Sequence, residues 1–309
     1  MKTHEDVQPT KTSDMRDTPE GGLDHTAAWT TKPLKSPRPT DVAGTLGGSD
    51  MRPMGRFAGR VVWITGAGHG IGAATALRIA EEGGHVAALA LHEESAAAIA
   101  RQCEGLAGRA LALRADAGDP DALVRAHAMI QAELGPVDIL INNVAIAEQS
   151  HLLDSTDAHW RRILSVNFES AVRCSRLVLP KMIERRRGTI VNLASNQGSR
   201  GFPGWGAYAS AKGALLAFTR ELAVEVAEKG VRVNAVTPGV IKTEMQTRLA
   251  TEADDPGGYD ASLRQAIPMR RSGSPSEVAA VIAFVASDEA SFMTGAEVFV
   301  DGGEHIQGG

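Results

Sequence analysis

Residues 60–72 read RVVWITGAGHGIG, and this stretch decides the fold. RVVWIT is a short apolar run rich in β-branched and aromatic side chains, the composition of a buried strand. It runs straight into a glycine-rich turn, and IGAATALRIAEEGG follows at helical period. Turns use glycine everywhere, so a glycine run alone says little. Set between a strand and a helix it says more. Gly66 permits the tight turn, Gly70 lets backbone approach a pyrophosphate, and Gly72 lets the helix pack closely. The helix start then offers free N–H groups and a positive dipole end to an anion. The stretch predicts a dinucleotide site.

Outward from this turn the chain alternates. HVAALAL, RALALRAD, VDILINN, GTIVNLAS, VRVNAVTPG and EVFVDGG read as six further strands. Between them lie helical patterns: EESAAAIARQCEG, DPDALVRAHAMIQAELG, one long helix over 156–186, GAYASAKGALLAFTRELAVEVAEKG, and a helix after GSPSEV capped by Ser274 or Ser276. Strand and helix in alternation predict an α/β fold: one Rossmann-type, doubly wound domain with a seven-stranded parallel sheet covered on both faces. We place it over 56–309. Residues 1–55 are rich in Thr, Pro, Asp, Lys and Gly and show no periodicity. Such a segment buries too little apolar surface to offset its ordering entropy, so a disordered tail is expected there.

The net charge of −5 argues against nucleic acid or an acidic membrane surface as partner. The two cysteines, Cys103 and Cys174, lack the Cys or His neighbours of a zinc site. They suit a reducing, cytoplasmic setting. His69, His92, His151 and His159 show no metal-ligand spacing and read as surface or loop residues, so no metal is expected. No stretch reaches membrane-span length, and the first residues lack the apolar core of a secretory signal.

Tyr208 and Lys212 stand four apart on a predicted helix, hence on one face, with Cβ atoms roughly 5–6 Å apart. An ammonium beside a phenol stabilises phenolate. Lowering a tyrosine from its usual pKa to about 7 takes roughly 4 kcal/mol. That would make Tyr208 an acid and base near neutral pH. Ser195, at a strand end, could bind a substrate oxygen as charge moves onto it.

The glycine spacing is G-x-x-x-G-x-G. At this point the sequence resembles the short-chain dehydrogenase/reductase family, whose first turn reads T-G-x-x-x-G-I-G. Thr65, Gly66, Gly68, His69, Gly70, Ile71 and Gly72 lie in the matching turn, and the likeness extends over 57–303. It implies hydride transfer between NAD or NADP and a secondary alcohol or ketone, with Ser195, Tyr208, Lys212 and Asn167 as the catalytic set. In the family an Asn at position 167 holds a water that relays protons to the lysine. Asp116, with Ala117 beside it, falls where the family sets an acid against the adenine. Asn143 belongs to a motif that usually reads N-N-A-G and here reads Asn142, Asn143, Val144, Ala145, so two added side-chain groups lie beside the cofactor ribose. Pro238, Gly239, Val240 and Thr243 match the loop that holds the nicotinamide amide.

Ala90 takes the usual place of the acid that binds the ribose 2′-hydroxyl, and Leu91 the place of an Arg for a 2′-phosphate. His69 replaces the Arg or Lys of many NADP-using relatives, and Glu93 and Glu94 would repel a phosphate. The balance leans to NAD. The resemblance also implies a homo-oligomer, most simply a tetramer. Phe202 and Trp205 could wall the substrate, and 243–268 could form a lid. Competing readings are a non-catalytic dinucleotide sensor or scaffold, a 3-oxoacyl-thioester reductase within the family, and a sugar-nucleotide epimerase or dehydratase. The last has the spacing T-G-x-x-G-x-x-G, which this chain lacks.

Overall fold

The computed structural model describes residues 55–252, 258, 262 and 264–307. The tail expected over 1–55 therefore lies almost wholly outside the described residues, as does part of the lid expected over 243–268.

The chain alternates β1 (Val61–Thr65), α1 (Gly70–Glu81), β2 (His85–Ala90), α2 (Glu93–Gln102), β3 (Ala110–Arg114), α3 (Pro120–Glu133) and β4 (Ile139–Asn142). It continues through α4 (Asp157–Leu164), α5 (Ser170–Glu184), β5 (Gly188–Leu193), α6 (Gly206–Val226), β6 (Val231–Pro238), α7 (Glu244–Glu252), α8 (Pro275–Ala286) and β7 (Glu297–Val300). The seven strands form one sheet in the order β3-β2-β1-β4-β5-β6-β7, and every pairing is parallel. The expected doubly wound sheet is present.

Strand alternation explains the two cores. Val62 and Ile64 of β1 face a cluster with Ile79 of α1 and Ile282 of α8. Val61 and Trp63 face the opposite cluster, with Leu123 of α3, Val178 of α5 and Leu222 of α6. Both faces are thus buried, which is why the strands read as continuous apolar runs rather than alternating ones. Burying each Leu or Ile contributes roughly 1.5–3 kcal/mol.

In the sheet register Thr65 lies opposite Asn142, and Asn142 opposite Asn192, so the carboxyl ends of β1, β4 and β5 are level. The chain winds one way from β1 to β2 and the other way to β4. The crevice between these ends is where a doubly wound sheet takes a ligand.

Two helix boundaries refine the sequence reading. The single helix expected over 156–186 is interrupted by a π-helical turn at Ser165–Glu169. Asn167, a poor helix former, sits in that turn with its side chain bonded to another segment; such π-turns often mark functional places. Of the two candidate caps for α8, Ser274 is the one used, in a reciprocal capping box with Glu277. Among the described residues no helix is long and apolar enough to cross a membrane.

Candidate active site

One cavity of about 990 Å³ lies over the carboxyl ends of the strands. Its floor at one end is the glycine turn. Gly66 and Gly70 have φ of +66° and +54°, which favour glycine. A Cβ on Gly72 would lie 2.2 Å from the Gly66 carbonyl oxygen and 2.6 Å from Asn143 Nδ2. The close approach expected of Gly72 is therefore to the turn itself. Asn143 braces the same turn: its Nδ2 donates to the Thr65 and Gly66 carbonyls at 3.0 and 2.9 Å. Thr65 is buried beneath and accepts the Asn143 and Val144 N–H groups at its Oγ1, at 3.1 and 3.2 Å. These bonds hold the backbone at Asn143 and Val144 of the N-N-V-A variant, and Val144 and Ala145 line the cavity.

The start of α1 has no side-chain cap on its N-terminal N–H groups and no acid in its first turn. A helix start of this kind suits an anion. The glycine turn, the uncapped helix and the crevice together fit a dinucleotide. Gly66, Gly68, His69, Gly70 and Ile71 line the cavity there.

Toward β2 and β3 the wall is Ala90, Leu91, His92, Ser95, Asp116 and Ala117. Asp116 Oδ1 accepts the Gly118 N–H at 2.8 Å, which shapes the turn after β3. Glu93 and Glu94 lie in the first turn of α2 and are not part of the wall. His69, expected at the surface and in the glycine turn, is exposed and also lines the cavity. Its Nε2 lies 3.3 Å from Ser95 Oγ and 3.7 Å from Glu244 Oε2. Toward β6 the wall is Pro238, Gly239, Val240 and Thr243. Thr243 also accepts the Gln246 N–H at 3.3 Å, at the start of α7.

Ser195, Tyr208 and Lys212 line the same cavity. A buried ladder sets the helix that carries the last two. Asn142 Nδ2 donates to Asn192 Oδ1 at 2.8 Å, Asn192 Nδ2 to Thr219 Oγ1 at 2.9 Å, and Thr219 Oγ1 to the Leu215 carbonyl at 2.8 Å. Beta-strands 4 and 5 are thereby tied to α6. Tyr208 packs edge-on to Trp205, ring centroids 5.9 Å apart, and Phe202 and Trp205 both line the cavity. Lys212 is buried; its Nζ lies 5.8 Å from the Tyr208 ring centroid and donates to the Leu193 carbonyl at 2.6 Å. Ser195 starts a short 3₁₀ turn and accepts the Gln197 N–H at 3.2 Å.

Asn167 is buried behind the wall. Its Oδ1 accepts the Ile146 N–H and its Nδ2 donates to the Ile146 carbonyl, both at 2.8 Å. The side chain thus pins the loop after β4 to the π-turn.

The electrostatics differ from the sequence expectation. Burial pushes the Tyr208 phenol up to about 12, against a smaller downward pull from its hydrogen bond with Ser195. Burial also brings the Lys212 ammonium down to about 8. In the chain alone desolvation outweighs the Ser195 hydrogen bond, and Tyr208 is a neutral phenol at pH 7.

Some wall residues were not legible in the sequence. Arg162 lines the cavity, and its helical surroundings give no hint of it, whereas Arg248, also a lining residue, lies within the 243–268 segment expected beside the substrate. Ser95 and Asn196 carry no motif. Glu304, buried at the cavity edge, had one signal: an acid directly after the glycine pair Gly302 and Gly303.

A family model described as Enoyl-(Acyl carrier protein) reductase matches residues 66–305. The chain is 36% identical over 248 residues to 3-oxoacyl-(acyl-carrier-protein) reductase FabG of Thermotoga maritima, covering 80% of this chain and 98% of that one. It is 38% identical over 250 residues to meso-2,3-butanediol dehydrogenase of Serratia marcescens, covering 80% and 95%. A solved short-chain type dehydrogenase/reductase of Mycobacterium marinum is 32% identical with a TM-score of 0.75, covering 80% and 96%. The family model runs from the glycine turn past the last strand and each relative covers about 80% of the chain, so the chain belongs to the short-chain dehydrogenase/reductase family and is an oxidoreductase.

Proposed function

We propose that this protein moves a hydride between a nicotinamide and a secondary alcohol or ketone, with Tyr208 as the proton-transfer group. The observation that carries the reading is that Ser195, Tyr208 and Lys212 share one cavity with the glycine turn. The turn and α1 would hold the pyrophosphate, the wall at Asp116 and Ala117 the adenosine, and Val240 and Thr243 the nicotinamide end. When bound, the dinucleotide supplies or accepts the hydride.

The protein's part is the proton. A neutral Tyr208 hydroxyl can donate to a ketone oxygen as the hydride reaches its carbon. The phenolate left behind is stabilised by the Ser195 hydroxyl and by the charge of Lys212. Ser195 also steadies the negative charge that grows on the substrate oxygen. Asn167 keeps the loop after β4 in place beside them. In the oxidative direction the same groups take the proton back.

NAD is the cofactor we favour. Among the described residues that line this end of the cavity, His69, Ala90, Leu91, His92 and Ser95, none is a Lys or Arg, and the Glu244 carboxylate that faces His69 would repel a 2′-phosphate. The substrate end is apolar at Phe202, Trp205, Met245 and Leu249, with Arg162 and Arg248 as lining cations. This mixture and the FabG likeness support a second reading, a 3-oxoacyl-thioester reductase. Two buried free thiols suit a reducing, cytoplasmic setting, and we expect a homotetramer.

The test is a turnover screen. Diols, simple secondary alcohols and ketones, and a 3-oxoacyl thioester are each offered with NAD(H) and NADP(H), and reduced nicotinamide is followed by absorbance. The reading expects turnover in one of these classes and a higher kcat/KM with NAD(H). No turnover with any of them overturns the reaction class. A tenfold or greater preference for NADP(H), about 1.4 kcal/mol, overturns the cofactor choice.

A further inference from the structure

We propose that Glu304 is a positioning residue that holds the serine turn and the nicotinamide-side loop in one fixed arrangement. The inference rests on the reaction proposed above. Glu304 opens a short 3₁₀ turn after β7 and is buried, yet borders the cavity. Its Oε2 accepts Asn196 Nδ2 at 3.0 Å. Asn196 directly follows Ser195, so this bond anchors the turn that presents the serine hydroxyl. The Val240 N–H also favours the charged carboxylate, and Val240 lies in the loop after β6. Arg200 Nη1 donates to the Glu304 backbone carbonyl at 2.5 Å, closing the far end of the serine turn onto the same residue.

The neighbourhood is built around this contact. A Cβ on Gly239 would lie 2.8 Å from Glu304 Oε2 and 2.7 Å from Asp301 Cβ, so only glycine lets the loop approach. Asn196 Nδ2 also reaches Asp301 Oδ2 at 3.4 Å, while Asn196 Oδ1 is buried with no partner among the described residues. Turned over, the amide would set its oxygen against two carboxylates. The acids therefore fix which way Asn196 points.

The arrangement is pH-sensitive. Burial holds the Glu304 carboxyl above its usual range, with Asp301 adding to the rise and Asn196, Arg200 and Val240 opposing it. The other charged or titratable groups facing this corner are Asp301, which is bonded to His305, and Arg200; Tyr208 and Lys212 share the cavity. Protonating Glu304 removes acceptor capacity toward two donors and loosens both loops.

The test uses the full chain, as wild type, Glu304→Gln, Asn196→Ala and the double variant, between pH 5 and 8. NADH affinity is read by energy transfer from protein tryptophan, and kcat is read where a substrate turns over. Wild type should lose NADH affinity and kcat on acidification. Glu304→Gln should weaken both by about three- to tenfold at pH 7.5 and flatten their pH dependence. Adding Asn196→Ala to Glu304→Gln should cost little more, because the two residues share one bond. Wild-type affinity, kcat and pH profiles in Glu304→Gln would overturn the proposal. So would a lowered melting temperature with those profiles unchanged, which is a purely structural role. If wild type binds NADH but turns over nothing, the reaction reading fails while the affinity arm still decides Glu304.

Discussion

At the scale of single residues, burial rather than charge pairing sets the resting chemistry. Lys212 is brought to about 8 from an ordinary 10.5, and that shift has a stability signature. Below pH 8 the folded and unfolded chains both hold the lysine proton, and the folded state carries a constant burial cost. As pH rises past 8 the folded chain releases the proton while the unfolded chain keeps it, so unfolding becomes harder. The gain by about pH 10.5 is on the order of 3 kcal/mol. Tyr208, raised to about 12, acts in the opposite sense above pH 10, where the unfolded chain loses its phenol proton first. The clean window is pH 8 to 10. Denaturant unfolding of wild type and Lys212→Met should show stability rising with pH in wild type relative to the variant. Parallel curves across that window would mean the ammonium is not desolvated. The identity of Tyr208 and Lys212 was legible in the sequence because four residues on a helix fix a shared face. Their pKa values were not, because desolvation depends on what packs around them.

At the scale of elements, the β1–turn–α1 unit was read correctly in kind, since apolar run, glycines and helical period agree. What escaped was cross-chain bracing. Asn143 reaches back 77 residues to the Gly66 carbonyl, and Asn167 reaches 21 residues to Ile146, contacts that no local pattern encodes. The π-turn carries the second of these contacts, and a single unbroken helix was the natural reading of its sequence. Gly72 tests the bracing. In Gly72→Ala the new methyl must displace the Gly66 carbonyl or Asn143. Overpacking of this kind costs roughly 1–3 kcal/mol. Dinucleotide affinity should fall about tenfold, because the same turn receives the pyrophosphate. Calorimetric titration with NADH checks this; an unchanged Kd would place the pyrophosphate away from the turn.

At the scale of the whole molecule, the parallel sheet was legible from alternation alone, and its switch point fixes where the cavity opens. The substrate was not, because the wall is assembled from α4, α7 and the loops after β4 and β5, elements far apart in sequence. Assembly is a further expectation at this scale. Val224 on α6 and Phe292 before β7 are 81% and 104% exposed, an exposure that burial between subunits would relieve. Light scattering at micromolar concentration should give a tetramer, and a monomer would contradict this. The central claim, that Tyr208 moves the proton in a nicotinamide-linked oxidation or reduction, has one direct test. In Tyr208→Phe, kcat and NADH Kd are measured beside wild type with the best substrate from the screen. The account predicts kcat below about a tenth of wild type with Kd nearly unchanged, since the ring remains and only the hydroxyl is lost. A variant that keeps more than about a tenth of wild-type kcat would contradict it.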